Sequence, residues 1–208
     1  EEVSGKPYEK SRAVLIDAAK RSDIALAFEG YSTGTAVTGR RGYSMWRLDV
    51  TGSQGHSSTI FGEARGSGAI FEAARILSAF HEELREPYLT FNPGVILGGT
   101  DVNFDAQTIS GTVSGRTTVV PRSLVVLGDM RFLSGEQLER ARAKMRTIVA
   151  KSLPKTSATI SFTDGMPPMA PTEGNLALLT TLDGVSRDLG TGPITAHDPS
   201  KRGAADVS

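Results

Sequence analysis

From residue 43 onward the chain alternates. Trp46, Leu48 and Val50 fall on one side, and Met45, Arg47 and Asp49 on the other, which is the period of two expected of a half-buried strand. Across 67–85 the period lengthens: Ile70, Phe71, Ala74, Leu77, Phe80 and Leu84 recur every three or four positions, predicting a long amphipathic helix with that stripe toward the core. A strand is predicted over 88–97 with an irregularity at Pro93-Gly94, and another over 119–133 that Pro121 breaks early. Leu138, Ala141, Met145, Ile148 and Val149 share one helical face over 136–153, and Pro154 closes that helix. Alternation returns over 157–162, with Ala158, Ile160 and Phe162 inward.

The order from 43 to 163 is therefore β-α-β-β-α-β. This predicts the α+β class: a split βαβ, ferredoxin-like unit with a four-stranded antiparallel sheet and both helices on one face. Such a sheet has open edges and an uncovered face, and it associates readily through an edge or a helix. The stretch 98–118 shows no periodicity and predicts a long loop, functional or disordered. Before residue 43, Val14, Leu15, Ala18 and Ala19 suggest a helix over 9–21, and the apolar run 24–28 suggests a buried strand. After the unit, the Pro-rich stretch 165–171 reads as a stiff linker and 175–189 as a helix. These flanks look like two parts of one α/β catalytic domain, giving boundaries at 1–40, 41–165 and 166–208.

Composition narrows the chemistry. With 23 basic and 23 acidic residues in 208, no global field draws nucleic acid or an anionic membrane. No apolar run reaches the roughly 18 residues of a spanning helix. The absence of cysteine removes disulfides and thiolate ligands, so any metal would rest on carboxylate and imidazole. Compartment stays open.

Several residue types could carry chemistry. Glu1 and Glu2 are adjacent carboxylates at a chain start without Met, which suggests a piece of a longer protein; they read either as a solvated acidic pair or as part of a metal site. Glu29 follows the apolar run 24–28, where ligands gather at strand ends, or else forms a strand-end ion pair. His56 sits in a loop of small residues just beyond the first strand. It is either a donor to a developing oxyanion or a surface-loop histidine. Arg131 shares a strand face with Asp129, away from Met130 and Phe132, and either grips a substrate carboxylate or forms an ion pair.

In order, Glu1-Glu2-Val3, Phe28-Glu29-Gly30, Gly39-Arg40-Arg41-Gly42, Val50-Thr51-Gly52 with His56-Ser57, Asn92-Pro93-Gly94, Gly98-Gly99, Val119-Val120-Pro121, Asp129-Met130-Arg131-Phe132 and the segment 203–206 resemble the dinuclear-zinc aminoacylase/carboxypeptidase metallopeptidases. That family includes glutamate carboxypeptidase, acetylornithine deacetylase and succinyl-diaminopimelate desuccinylase. The resemblance implies that Glu1 is a general base, that Glu2 and Glu29 each bind one metal, and that His56 reaches across a homodimer formed by the lid domain. It further implies that Arg131 holds the terminal carboxylate of a peptide or N-acyl amino acid. Two zinc ions per full-length subunit are implied, with cobalt or manganese as substitutes. The sequence departs from the family at Thr118, where the family carries Asn at a substrate-contacting position. The upstream His and bridging Asp and the late His of the family pattern would fall outside this sequence, so the piece alone is expected to be inactive. The competing reading is a dimerisation or small-molecule-binding module without catalysis.

Overall fold

A computed structural model describes residues 13–28, 33–201, 203–205 and 208. The helices are α1 (Ala13–Lys20), α2 (Gly68–Glu83), α3 (Gly135–Val149) and α4 (Glu173–Asp188). The strands are β1 (Thr35–Ala36), β2 (Gly42–Gly52), β3 (Gly55–His56), β4 (Thr90–Gly99), β5 (Asp101–Asp105), β6 (Ser110–Ser114), β7 (Val119–Val120), β8 (Ser123–Phe132), β9 (Thr156–Asp164) and β10 (Thr195–Ala196). The chain divides into two compact units, one of Tyr43–Gly165 and one of Glu1–Gly42 with Met166–Ser208.

The central unit is the split βαβ sandwich that the alternation predicts. Its sheet has the order β4-β8-β2-β9. β2 and β9 run antiparallel from Ser44↔Asp164 to Gly52↔Thr156, and β4 and β8 from Thr90↔Arg131 to Gly99↔Ser123, with a register shift between Pro93 and Val95. Pro93 lacks an N–H, and an edge strand with a bulge is where a proline is tolerated. The inward side chains Trp46, Leu48, Val50, Leu124, Val126, Met130 and Phe132 meet Ala73, Ile76 and Phe80 of α2 and Ala141, Met145 and Ile148 of α3 in one buried cluster. Trp46 meets Phe80 edge-on at 5.9 Å between centroids and donates its indole N–H to the Asp129 carbonyl at 3.1 Å. A side chain at Gly128 would strike the Trp46 ring at 2.2 Å, so that crossing accepts only glycine.

Four sequence expectations are corrected. The buried stripe of α2 is rotated from the predicted one: Ala69, Glu72, Ala73, Ile76 and Phe80 face inward, while Ile70 and Phe71 are about half exposed. Two physical facts turn the helix. Alanines let it approach closely, a Cβ on Gly52 coming within 2.7 Å of the Ala69 nitrogen. And the charge that hid the true stripe, Glu72, is fully buried because its carboxylate takes Arg75 at 2.6 Å and the Leu153 N–H at 2.9 Å. Arg75 in turn reaches the carbonyls of Ile148 and Lys151, stitching α2 to the end of α3.

The second correction concerns 98–118, which is no unstructured loop. Its β5 and β6 form a hairpin with Asp101↔Ser114 and Asp105↔Ser110 in register. Asp105 closes the turn by accepting from the Gln107 N–H and the Thr108 hydroxyl, both at 2.8 Å. The third follows from it: the face of the sheet without helices is partly covered, because Phe104 of the hairpin lies 5.4 Å beneath the Arg47 guanidinium.

The fourth lies in the other unit. Residues 24–28 form no strand, and Ile24, Leu26 and Phe28 are 57, 67 and 96% exposed. A buried strand needs ladder partners and cover on both faces, and among the described residues this run has neither. In the same unit β1 pairs in parallel with β10, Thr35 opposite Thr195. Arg40 exchanges backbone hydrogen bonds with Met169 at 2.8 and 2.9 Å, and Arg41 donates to the Ser200 carbonyl at 2.7 Å. The basic quartet 39–42 is thus held by backbone acceptors. Among the described residues no helix is long and apolar enough to cross a membrane.

Candidate functional site

The site residues predicted from sequence divide into three groups. Glu1, Glu2 and Glu29 lie outside the described residues. Among the described residues no three His, Asp or Glu side chains gather as a metal site would require.

His56 and Thr118 come together. β3 pairs with β7 so that His56 stands opposite Val119, and the Ser57 N–H donates to the Thr118 carbonyl at 2.8 Å. His56 also caps the short 3-10 turn Ser57–Thr59. Its Nδ1 accepts the Ser58 backbone N–H at 3.2 Å and lies 2.8 Å from the Ser58 hydroxyl. A backbone N–H can only donate, so the neutral ring carries its proton on Nε2. The imidazole is exposed, with Nε2–H as its available donor. That is the form able to meet a developing negative charge.

Arg131 stands apart from this pair. It lies eight residues along β8 from Ser123, about 26 Å of strand. Its Nε donates to Asp129 at 3.0 Å and its guanidinium sits 5.1 Å from the centre of the Tyr43 ring. The ion pair of the sequence reading exists, and it uses one edge of the guanidinium, leaving both Nη groups without a hydrogen-bond partner among the described residues. The Arg131 end of the sheet is also where the chain enters and leaves the unit, since the Gly165 N–H donates to the Tyr43 carbonyl at 3.1 Å.

One feature escaped the sequence reading. Gln54, Thr100, Asp101, Ser114, Gly115, Arg116 and Val119 line an open cleft of about 420 Å³ beside the β3–β7 pair. Asp101 and Ser114 end the hairpin strands, Thr100, Gly115 and Arg116 flank them, and Gln54 and Val119 come from the β3–β7 side.

A four-stranded antiparallel sheet backed by two helices, in the order β4-β8-β2-β9, defines a split βαβ module of the α+β class. Residues 38–157 match the family model described as the peptidase dimerisation domain, and the chain belongs to that family, the dimerisation domain of the M20 peptidases. No curated protein matches the chain. Among solved structures, the aminopeptidase PepT of Bacillus cereus is similar at 18% identity and a TM-score of 0.63, over 96% of this chain and 50% of that one. A tripeptidase of Staphylococcus aureus is similar at 17% identity and a TM-score of 0.59, over 86% of this chain and 42% of that one. An amidase of the hydantoinase/carbamoylase family from Burkholderia multivorans follows at 16% identity and a TM-score of 0.54, over 81% and 37%. These likenesses establish the fold. The chain spans half or less of the length of each of these structures.

Proposed function

We propose that the chain is the dimerisation module, with flanking segments of a catalytic domain, of a metal-dependent peptidase or amidohydrolase that cleaves an amide bond beside a free carboxylate. The observation that carries this reading is the match of residues 38–157 to a peptidase dimerisation domain. Residues 1–40 and 166–208 would belong to the catalytic part, with Glu1 as general base and Glu2 and Glu29 as ligands of zinc or of substituting cobalt or manganese. The substrate would be a small peptide or an N-acyl amino acid.

In a homodimer joined through the central unit, His56 of one copy would serve the active site of its partner, donating from Nε2 to the oxyanion, with Thr118 beside it. Arg131 would serve the site of its own copy and hold the carboxylate through its two Nη groups. This division of labour is supported by the placement of the two residues: His56 lies in the separate β3–β7 pair that follows the Gly52 end of β2, and Arg131 lies at the opposite end of the four-stranded sheet, where the chain joins the flanking segments.

The test is hydrolysis of N-acyl amino acids by the longer protein with zinc or cobalt supplied. His56→Ala should lower kcat by about 10²–10³ while metal content and sedimentation as a dimer stay unchanged. An unchanged rate in a dimeric His56→Ala enzyme would leave a dimerisation or small-molecule-binding module as the correct reading. The 208-residue chain alone should show no turnover, and substantial turnover would overturn that part of the proposal.

A further inference from the structure

We propose that Tyr43 is a positioning residue, whose ring is the platform from which the Arg131 guanidinium is aimed at a substrate carboxylate. The inference deepens the hydrolase reading and rests on it for the role of Arg131. The guanidinium carbon lies over the Tyr43 ring, 5.1 Å from its centre, and Nε donates to Asp129 at 3.0 Å. One contact holds the face of the group and the other holds its inner edge. Neither uses the Nη groups, so the fork is fixed without being consumed. Arg47 on the adjacent strand β2 shows the alternative. It also pairs with an aspartate two residues away, but through Nε at 2.8 Å and Nη2 at 2.7 Å to both oxygens of Asp49. That fork is closed, as a purely structural ion pair would be, whereas the fork of Arg131 stays open.

Position matters here more than charge. The Arg131–Asp129 pair is neutral as a whole, so its hold on a carboxylate depends on two aimed N–H groups rather than on a field. The Arg131 side chain is 42% exposed, and a long side chain left free at such a site would lose rotamer freedom on binding. Ordering it beforehand removes that cost from the binding step. The ring that does so is itself fixed. The Tyr43 carbonyl accepts the Gly165 N–H at 3.1 Å, and a Cβ on Gly165 would come within 2.2 Å of the Tyr43 ring, so only glycine leaves the ring its place. Tyr43 and Gly165 are the first and last residues of the central unit. The aim of Arg131 is therefore set at the two points where the chain enters and leaves that unit.

The experiment has two readouts. In the 208-residue chain, the NMR signal of the Arg131 Nε–H should be displaced by the Tyr43 ring current in the parent and in Tyr43→Phe. It should return to the position of a free arginine in Tyr43→Leu and move toward it in Gly165→Ala, with Trp46 fluorescence reporting that the core of each variant is intact. In the longer protein with zinc or cobalt supplied, Tyr43→Leu should raise KM for N-acetylglycine about tenfold while kcat changes by no more than about twofold. Tyr43→Phe should keep the parent KM, and so should Arg47→Ala, whose fork is closed. A free-arginine signal in the parent, a signal unmoved in Tyr43→Leu, or an unchanged KM in Tyr43→Leu would each overturn the proposal. So would a KM in Tyr43→Phe or Arg47→Ala as high as in Tyr43→Leu. A parent-like KM in Arg131→Ala, or no cleavage of N-acyl amino acids by the longer protein, would instead sink the hydrolase reading, and the NMR comparison would still decide whether Tyr43 aims the guanidinium.

Discussion

The two units of this chain treat apolar side chains in opposite ways. In the central unit Phe80, Ile76, Leu48, Met130 and Met145 have 1% or less of their surface exposed. In the other unit α1 buries none of its residues, although Val14, Leu15, Ala18 and Ala19 give it a helical apolar spacing, and Leu176, Leu182 and Val185 of α4 with its C-cap Leu189 are 44–73% exposed. Helix spacing is thus equally good in both, and only one unit answers it with a facing layer among the described residues. An amphipathic pattern states a preference for burial; the free energy comes only from the surface that meets the pattern.

The largest effect that would test this contrast is in the core. Phe80→Ala should cost about 3–5 kcal/mol, because the edge-on contact with Trp46 is lost and a cavity forms between α2 and the sheet. Urea unfolding followed by fluorescence measures it cleanly, since Trp46 is the one tryptophan and lies in that core. Leu189→Ala, at a position 73% exposed, should stay within about 0.5 kcal/mol by circular dichroism of the same transition. Comparable costs for the two would erase the distinction between the units.

A smaller effect concerns the buried charge. Burial pushes the Glu72 carboxyl up, but hydrogen bonds from Arg75 and the Leu153 N–H, with the Arg75 charge, outweigh it and hold it below the ordinary carboxylate value. A lowered folded-state value means that Glu72 contributes fully above the unfolded value near 4.5, and that the contribution is lost as pH falls through the folded value. Stability measured between pH 6 and pH 3 should therefore fall less steeply in Glu72→Gln than in the parent. Near neutrality Glu72→Gln should itself cost about 2 kcal/mol. An unchanged pH slope would show that the pair does not act in this way.

The smallest effect compares one device used in both units. Ser134 caps α3 by accepting the Gln137 N–H at 3.1 Å, and Thr172 caps α4 by accepting the Asn175 N–H at 3.3 Å. Replacing Ser134 by Ala should cost about 1 kcal/mol of the cooperative unfolding of the central unit. Thr172→Ala should register instead as faster amide exchange confined to α4, because a helix with little buried surface opens locally. Equal global costs would show the two helices to be comparably anchored.

What the sequence disclosed follows the same division. Trp46, Leu48 and Val50 were legible as one strand face because a period of two has one solution once a face is buried. The α3 stripe was legible because Ala141, Met145, Ile148 and Val149 are all apolar. The α2 stripe lies about one residue, roughly 100° of helix, from the predicted one, since a buried glutamate looks polar in sequence and its partner at Leu153 lies far along the chain. The hairpin over 101–114 is hard to read because the alternation of Val102 and Phe104 spans only five residues and its partner strand β6 is polar and exposed. At the site, the residue types were visible, but the pairing of His56 with Val119 and the distance to Arg131 depend on long-range register, which no local pattern carries.

The pairing of Ser44 with Asp164 carries a consequence for how the chain folds. For the flanking segments, the stretch between residues 42 and 166 is a loop of roughly 120 residues, and closing a flexible loop of that length costs about 4 kcal/mol. Once β2 and β9 have zipped together, its two ends are already side by side and that cost has been met by the sheet. The central unit then acts as a clasp: β1 and β10, distant in sequence, can pair as if they belonged to neighbouring segments. Hydrogen exchange during refolding should accordingly protect β2 and β9 before Thr195 and Ala196, and a mutation that slows the sandwich should delay the parallel pair with it.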